Sequence, residues 1–227
     1  MQVLIRVLPT VLVLCITVLS AQKALAWTQE LNNYPNSPTG CGGSSSYPCL
    51  YWPEPNHVST TLYASIDPAL ANIGPTHYNF SSSGVLSNSF GYWNNVQGAF
   101  NPYLYDCSYT GCVDAVHFYS GDIGTVNWAE TYVGDFGSVQ YANGQYYAIL
   151  NSATTTFNTE VSWNNSLQYD TLKADGRKVA THEIGHVEGL GHTGYTAIMH
   201  QGAENFYTPQ ANDINGMQTI YTGYIPV

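Results

Sequence analysis

Hydrophobic and polar positions repeat along this chain with two periods, one typical of β-strands and one of helices. Short runs rich in β-branched and aromatic residues predict strands in HVSTTLYASID, CVDAVHFY, NWAETYVG and GQYYAILNS. Between the first two runs, GVLSNSFGYWNNVQGAF carries apolar side chains at near-helical spacing and predicts a helix. One predicted strand therefore precedes this helix in the sequence, and three follow it.

Two further helices are predicted after the strands. The first opens at Asp175 or Gly176 and runs through RKVATHEIGHVEGL. The second begins at Thr208, which caps it, and Pro209, which takes the first helical position. Each has an apolar face, formed by Val179, Ile184 and Val187 in the first and by Ile214, Met217 and Ile220 in the second. No internal repeat is present.

The first 26 residues have the pattern of a secretory signal peptide. One early arginine precedes an apolar run, and small residues at Ala24 and Ala26 favour cleavage before Trp27. A retained membrane anchor is the alternative, but Pro9 interrupts the run, and the remaining stretch, residues 11–19, is too short to span a bilayer. We therefore expect a secreted, extracellular protein with no membrane span in its mature chain.

The expected mature chain is acidic. All 15 acidic residues but only three of the five basic residues follow the signal peptide, which gives a formal charge of −12. Such a surface repels nucleic acid and anionic membranes, so neither is an expected partner. The length that remains is enough for one domain with a sizeable core.

Four cysteines remain after the signal peptide: Cys41, Cys49, Cys107 and Cys112. An even number in a secreted chain favours two disulfides, and three pairings are possible. Pairing of sequence neighbours closes two short loops, whereas a zinc site built from all four is disfavoured by their wide, unequal spacing. Residues 27–55 are dense in turn formers and are predicted to be an N-terminal extension tied by one disulfide, ahead of a domain at 56–227.

Four of the seven histidines lie in HEIGHVEGLGHTGYTAIMH, residues 182–200. His182 and His186 are four residues apart, so a helix stacks them on one face, where both can reach one zinc ion. In a continuous helix His192 would lie about 15 Å from His182 along the axis, too far to share that ion. The chain must therefore turn back, and Gly189 permits the turn because it adopts left-handed conformations without a steric penalty.

The spacing His182-Glu183-x-x-His186-x-x-Gly189-x-x-His192, followed by Met199, resembles the metzincin signature with its Met-turn. Within that clan, VATHEIGHVEGLGH, AIMH and PQANDINGMQTIY together resemble the matrixins, the matrix-metalloproteinase-like peptidases. The resemblance is strong from about residue 179 to 221 and looser in FGYWNNV and YYAILN.

This resemblance implies an α+β catalytic domain at 56–227, with a twisted, mixed, mostly parallel sheet, an active-site helix, a Met-turn and a C-terminal helix. It implies a zinc metalloendopeptidase that acts on proteins or peptides, and the signal peptide adds the expectation that this enzyme is secreted. The implied roles are zinc ligation by His182, His186 and His192, general-base catalysis by Glu183, an apolar floor at Met199, and a substrate-pairing sheet edge at Ala148, Ile149, Leu150 and Asn151.

The sequence departs from the matrixin pattern in several places. PTGCGGSS around Cys41 lacks the Arg and Asp of the inhibitory cysteine segment, so a latency switch is a weaker alternative to a disulfide. No His-x-Asp element for a structural zinc is present, so we expect one zinc ion. Asp122 and Asp135 could bind calcium, although turn formation explains them better. Gln201 replaces a zinc-binding tyrosine of the related astacins.

Two other functions remain open at this stage. A zinc amidase or deacetylase is disfavoured because such enzymes usually include an Asp ligand. A catalytically silent secreted binding or coat protein that keeps only the metzincin shell is the main alternative. Retention of Glu183 speaks against it, because a carboxylate that is not a ligand is dispensable for metal binding.

The cysteine pairing is directly testable. Peptide mapping of the non-reduced protein should show two intramolecular cross-links, Cys41 with Cys49 and Cys107 with Cys112. A free Cys41 that reacts with a thiol reagent only after zinc removal would contradict the pairing and favour the latency switch.

Overall fold

A computed structural model describes residues 49–52, 61–81, 84–96, 103–107, 115–125, 127–136, 139–142 and 145–222. Its strands are β1 (Cys49–Tyr51), β2 (Thr61–Ile66), β3 (Tyr103–Asp106), β4 (Val116–Gly121), β5 (Ala129–Phe136), β6 (Gln140–Ala142), β7 (Gln145–Asn158), β8 (Ser162–Asn164) and β9 (Lys173–Asp175). Its α-helices are α1 (Val85–Asn94), α2 (Gly176–Val187) and α3 (Ala211–Thr222), and a 3-10 turn covers Pro68–Ala71. None of these helices has the length and apolar character needed to cross a membrane.

Seven of the strands form one mixed sheet. Strands β3, β2, β4 and β7 lie side by side and are parallel, and β5 pairs with β7 in the antiparallel direction. Two short strands, β1 and β6, pair with the first half of β7. Strands β8 and β9 form a separate parallel pair that leads into α2. The fold is therefore α+β with a mostly parallel sheet, as the family resemblance implies.

The helices pack on the sheet through apolar side chains and a few directed hydrogen bonds. Helix α2 contacts β5 and β7, and α1 packs against α2 and β3. The indole of Trp93, fully buried in α1, donates to the carbonyl oxygen of Thr181 in α2 at 2.8 Å. This bond satisfies a polar group that the core would otherwise leave unpaired, and it fixes the two helices against each other.

Most predicted elements are present, with shifted ends. Helix α2 begins at Gly176, because Asp175 caps it by accepting from the backbone N–H groups of Arg177 and Lys178. The last helix begins at Ala211 rather than at Thr208 and Pro209, since the Asp213 carboxylate accepts from the Gln210 N–H just before it. Short strands such as β3 and β6 were not predicted, because three or four residues carry too little pattern.

The expected free sheet edge at Ala148–Asn151 is not found. These residues lie within the 14-residue strand β7. Ala148 and Ile149 pair with Leu50 and Tyr51 of β1, and Leu150 pairs with Phe136 of β5. The difference arises because β1, from the segment that the sequence assigns to an extension, adds to β7 at this point.

Strand β1 is built into the domain core. Leu50, Tyr51 and Trp52 are each at most 3% exposed. The Trp52 indole donates to the carbonyl oxygen of Val187, the last residue of α2, at 2.7 Å. Residues 50–52 therefore pack against the end of the helix that carries the histidines.

Helix α2 ends in a left-handed glycine. Gly189 has φ of +96°, its N–H donates to the carbonyl of His186, and the N–H of Leu190 donates to the carbonyl of Gly185. This is the Schellman arrangement, which satisfies the last carbonyls of a helix and reverses the chain. A Cβ atom at Gly189 would lie 2.5 Å from the carbonyl oxygen of Leu50 in β1, so the position excludes a side chain for two reasons.

Substitution of Gly189 tests this turn. Gly189→Ala should lower the free energy of unfolding by at least about 1–2 kcal/mol, because alanine is strained at positive φ and its methyl group meets backbone. In a domain of this size that corresponds to a fall in Tm of roughly 2–8 °C by differential scanning fluorimetry.

Gly91→Ala is the matched control. Gly91 lies inside α1, and a Cβ there meets nothing within 4 Å. The same substitution should therefore leave Tm unchanged or raise it, since alanine is favoured in a helix by up to about 1 kcal/mol. Equal effects of the two substitutions would contradict the role given to the turn.

Candidate metal centre and active site

Three histidine side chains meet at one point beside α2. His182 and His186 project from adjacent turns of the helix, and His192 reaches them after the chain reverses at Gly189. The three Nε2 atoms form a nearly equilateral triangle with edges of 3.1 Å (His182 to His186), 3.0 Å (His186 to His192) and 3.2 Å (His182 to His192). Among the described residues, these three are the one group of candidate metal ligands.

Backbone carbonyls orient two of the rings. His182 Nδ1 donates to the carbonyl oxygen of Ile198 at 2.7 Å, and His186 Nδ1 donates to that of Leu190 at 2.8 Å. A carbonyl oxygen only accepts, so Nδ1 carries the proton, and in the neutral ring Nε2 keeps its lone pair. The lone pairs of the triangle therefore converge, an arrangement that is repulsive unless a cation lies between them.

The donor set fits a zinc ion. Tetrahedral zinc with Zn–N bonds of about 2.0–2.1 Å separates its nitrogen ligands by roughly 3.3–3.4 Å, close to the edges of this triangle. Burial lowers the pKa of all three histidines and brings that of His186 to about 4. The rings are therefore neutral near pH 7, which is the form that binds metal.

Glu183 lies between the two helical ligands in sequence but points to the sheet. Its side chain is 1% exposed, and Thr131 Oγ1 in β5 donates to its Oε2 at 2.6 Å. The other oxygen, Oε1, is buried and has no hydrogen-bond partner in the described part of the chain. Burial raises the pKa of Glu183 to about 8, although the Thr131 hydrogen bond acts in the opposite direction.

Met199 packs beneath the ligand-bearing helix. A Cβ atom added to Gly185, between His182 and His186, would overlap Met199 Sδ. The methionine is 2% exposed, and Thr193 N–H donates to its carbonyl oxygen. Met199 therefore packs against Gly185 of α2, which provides the space for it, and its role as an apolar floor beneath a metal stays a prediction.

Asp213 holds the Met-turn from α3. Its carboxylate, 2% exposed, accepts from the backbone N–H groups of Ile198 at 2.8 Å and Met199 at 3.1 Å. Burial raises the pKa of Asp213 above its ordinary value, although these backbone donors act in the opposite direction. No role for Asp213 is predicted from the sequence, although an acidic residue near the start of a helix, as Asp213 is in α3, could have indicated one.

A buried lysine supports the segment after the Met-turn. Lys178 of α2 is fully buried, and its Nζ donates to the carbonyl oxygens of His200 and Gly202. Burial lowers the pKa of Lys178 to about 8. The Glu204 carboxylate contacts His200 Nδ1, so Glu204 lies in this segment and not in the histidine cluster.

The remaining predicted site residues have different outcomes. Cys107 is buried and disulfide-bonded, whereas Cys41 and Cys112 lie outside the described residues, so the pairing stays a prediction. Asp122 accepts from the N–H of Gly124 at 2.8 Å, which is a turn contact. Nothing in the described ranges supports a calcium site.

Comparison with known proteins is consistent with this site. The family model described as Matrixin matches residues 83–222, more than half of the chain, and this range includes α1, all three histidines, Met199 and α3. No curated protein sequence matches the chain.

Acidification should destabilise the metal-free protein. Unfolded histidines take up protons near pH 6.5, whereas the pKa of buried His186 is about 4 and those of the other two are also lowered. Between these pH values the unfolded state binds more protons, so the free energy of unfolding falls as pH decreases. The raised pKa of Glu183 has the opposite effect on the free energy of unfolding. It involves one proton, whereas the three histidines involve three, so the histidines decide the direction.

Thermal unfolding of chelator-treated protein measures this effect. Its Tm should fall by several degrees between pH 7 and pH 5, for a loss on the order of a few kcal/mol. Zinc-loaded protein is the control and should keep its Tm to lower pH, because bound metal stabilises the neutral rings. A metal-free Tm that does not fall would contradict the buried, neutral state of the three rings.

Proposed function

The chain belongs to the matrixin family, and on that premise we propose that it is a secreted, zinc-dependent endopeptidase. One observation carries the proposal more than any other. The Nε2 atoms of the three histidines converge beside α2, and the same helix carries a buried carboxylate, Glu183, that is not part of the ligand group. Three neutral ligands leave a tetrahedral ion one open position for chemistry, whereas purely structural zinc sites use four protein ligands.

Different residues of the site hold the metal ion and orient its ligands. Zinc, when bound, supplies Lewis acidity that polarises the scissile carbonyl and acidifies water. His182, His186 and His192 hold the ion, and the carbonyls of Ile198 and Leu190 keep the first two rings in the ligating tautomer.

Glu183 moves the proton. As a carboxylate it accepts a proton from the attacking water and passes it to the nitrogen of the leaving amine. A nearby cation favours the ionised form and so opposes the rise in pKa that burial causes in Glu183. Cation binding therefore shifts Glu183 towards the carboxylate form that acts as the base, and no covalent intermediate is required.

The proposed substrate is an extended peptide that pairs with β5, and not with the edge at Ala148–Asn151 that the family resemblance implies. Thr131 brings β5 to the catalytic carboxylate, and within the described residues β5 pairs with β7 alone. Its second edge is then available for main-chain hydrogen bonds to a peptide, the mode called β-augmentation. Of the residues Ala148–Asn151, Leu150 supports this strand by pairing with Phe136 of β5.

Replacement of Glu183 tests the proposed mechanism. Purified Glu183→Ala should retain one zinc ion per chain by metal analysis and keep its fold. Its casein-cleaving activity should fall by roughly 10²- to 10⁴-fold, the usual contribution of a general base. A chelator should abolish the activity of the parent protein, and zinc should restore it.

His192→Ala is the comparison variant. It removes a ligand, so it should lose zinc affinity as well as activity. If Glu183→Ala cleaved casein at the parent rate with zinc bound, the role of the carboxylate would be wrong. If the zinc-loaded parent cleaved no protein or peptide, the result would favour the catalytically silent metal-binding shell.

A further inference from the structure

Two threonine hydroxyls form a chain that ends on the catalytic carboxylate. Thr131 of β5 and Thr155 of β7 are directly opposed in the antiparallel pairing, and their Oγ1 atoms are 2.8 Å apart. Thr131 Oγ1 is also 2.6 Å from Glu183 Oε2. Both threonines are at most 1% exposed, so water does not compete for these hydrogen bonds.

The hydroxyls interrupt an otherwise apolar sheet face. The buried positions next to them on the same faces of the strands are Ala129 and Val133 in β5 and Ala153 and Phe157 in β7. Valine has nearly the shape of threonine and would fill either site without burying a polar group, which costs free energy unless it is hydrogen-bonded. The hydroxyls are therefore explained by Glu183, which Thr131 contacts directly and Thr155 reaches through Thr131.

The direction of the hydrogen bonds follows from the chemistry of the groups. An ionised carboxylate only accepts, so Thr131 donates its single hydroxyl proton to Glu183 Oε2. The lone pairs of Thr131 are then free to accept the hydroxyl proton of Thr155. Each donation polarises the next, so the chain strengthens the contact with the carboxylate.

We propose that Thr131, supported by Thr155, is a positioning residue that fixes Glu183 through Oε2 and leaves Oε1 as the oxygen that exchanges protons with water and the leaving group. Oε1 is the carboxylate oxygen without a hydrogen-bond partner in the described residues. A carboxylate that is held through one oxygen cannot rotate to exchange its two oxygens. The base is therefore aligned before the substrate arrives. This inference rests on the proposed peptidase function.

Single substitutions separate the hydroxyl from the rest of the side chain. Zinc-loaded Thr131→Val should lower kcat by roughly 10- to 100-fold, with KM and zinc content unchanged, because it removes only a hydrogen bond to the base. Thr131→Ser keeps the hydroxyl and should stay within about threefold of the parent kcat. Thr131→Ala takes the place of the valine variant if the latter does not fold.

Thr155→Val is the matched control, since it removes a buried hydroxyl from the same face but leaves the Thr131 donor in place. Its kcat should fall by less than that of Thr131→Val. The proposal is overturned if Thr131→Val keeps the parent kcat, if Thr131→Ser loses as much as Thr131→Val, or if Thr155→Val loses more. An inactive zinc-loaded parent protein would instead overturn the proposed function, so the two failures are distinguishable.

Discussion

The site depends on one reversal of the backbone. An α-helix brings His182 and His186 to the same point, but it carries every later residue away from them. His192 reaches that point because Gly189 adopts φ of +96° and the last carbonyls of α2 are satisfied within the turn. The left-handed glycine therefore decides whether the protein has three converging nitrogen atoms or two.

The same turn connects metal ligation to the N-terminal strand. Leu50 of β1 lies against Gly189, and Trp52 donates to the last carbonyl of α2. Tyr221 of α3 adds a hydrogen bond to the carbonyl of Glu188, also in this turn. Distant parts of the chain thus pack around the end of one helix. Packing of residues 50–52 therefore helps to hold the turn that brings His192 to the other two histidines.

Around the candidate site, several buried polar atoms orient a histidine, the Glu183 carboxylate or a loop. Carbonyls select the tautomers of two histidines, Asp213 holds the Met-turn by two backbone N–H groups, and Thr131 holds Glu183. Buried polar groups are costly when unpaired, so each of these contacts also stabilises the fold. Removal of the metal leaves the converging histidines without the cation that balances them, which is why stability and metal binding should change together.

Much of this could be predicted from the sequence, because the information is local. The spacing of His182, Glu183 and His186 follows from helical geometry alone, and the position of Gly189 indicates where the helix must stop. Long runs with a clear period, such as those of α1, β4 and β7, likewise carry their own secondary structure.

Contacts between segments distant in sequence could not be predicted in this way. Nothing local in CLYW indicates that β1 adds to β7 and covers the expected substrate edge, and three residues carry no measurable period. Likewise, Thr131 and Glu183 are separated by 52 positions and meet because β5 and α2 pack on each other. The sequence by itself determined the candidate metal ligands, His182, His186 and His192, and the candidate general base, Glu183. Only the tertiary structure decided what surrounds them, because packing partners are selected by the whole chain.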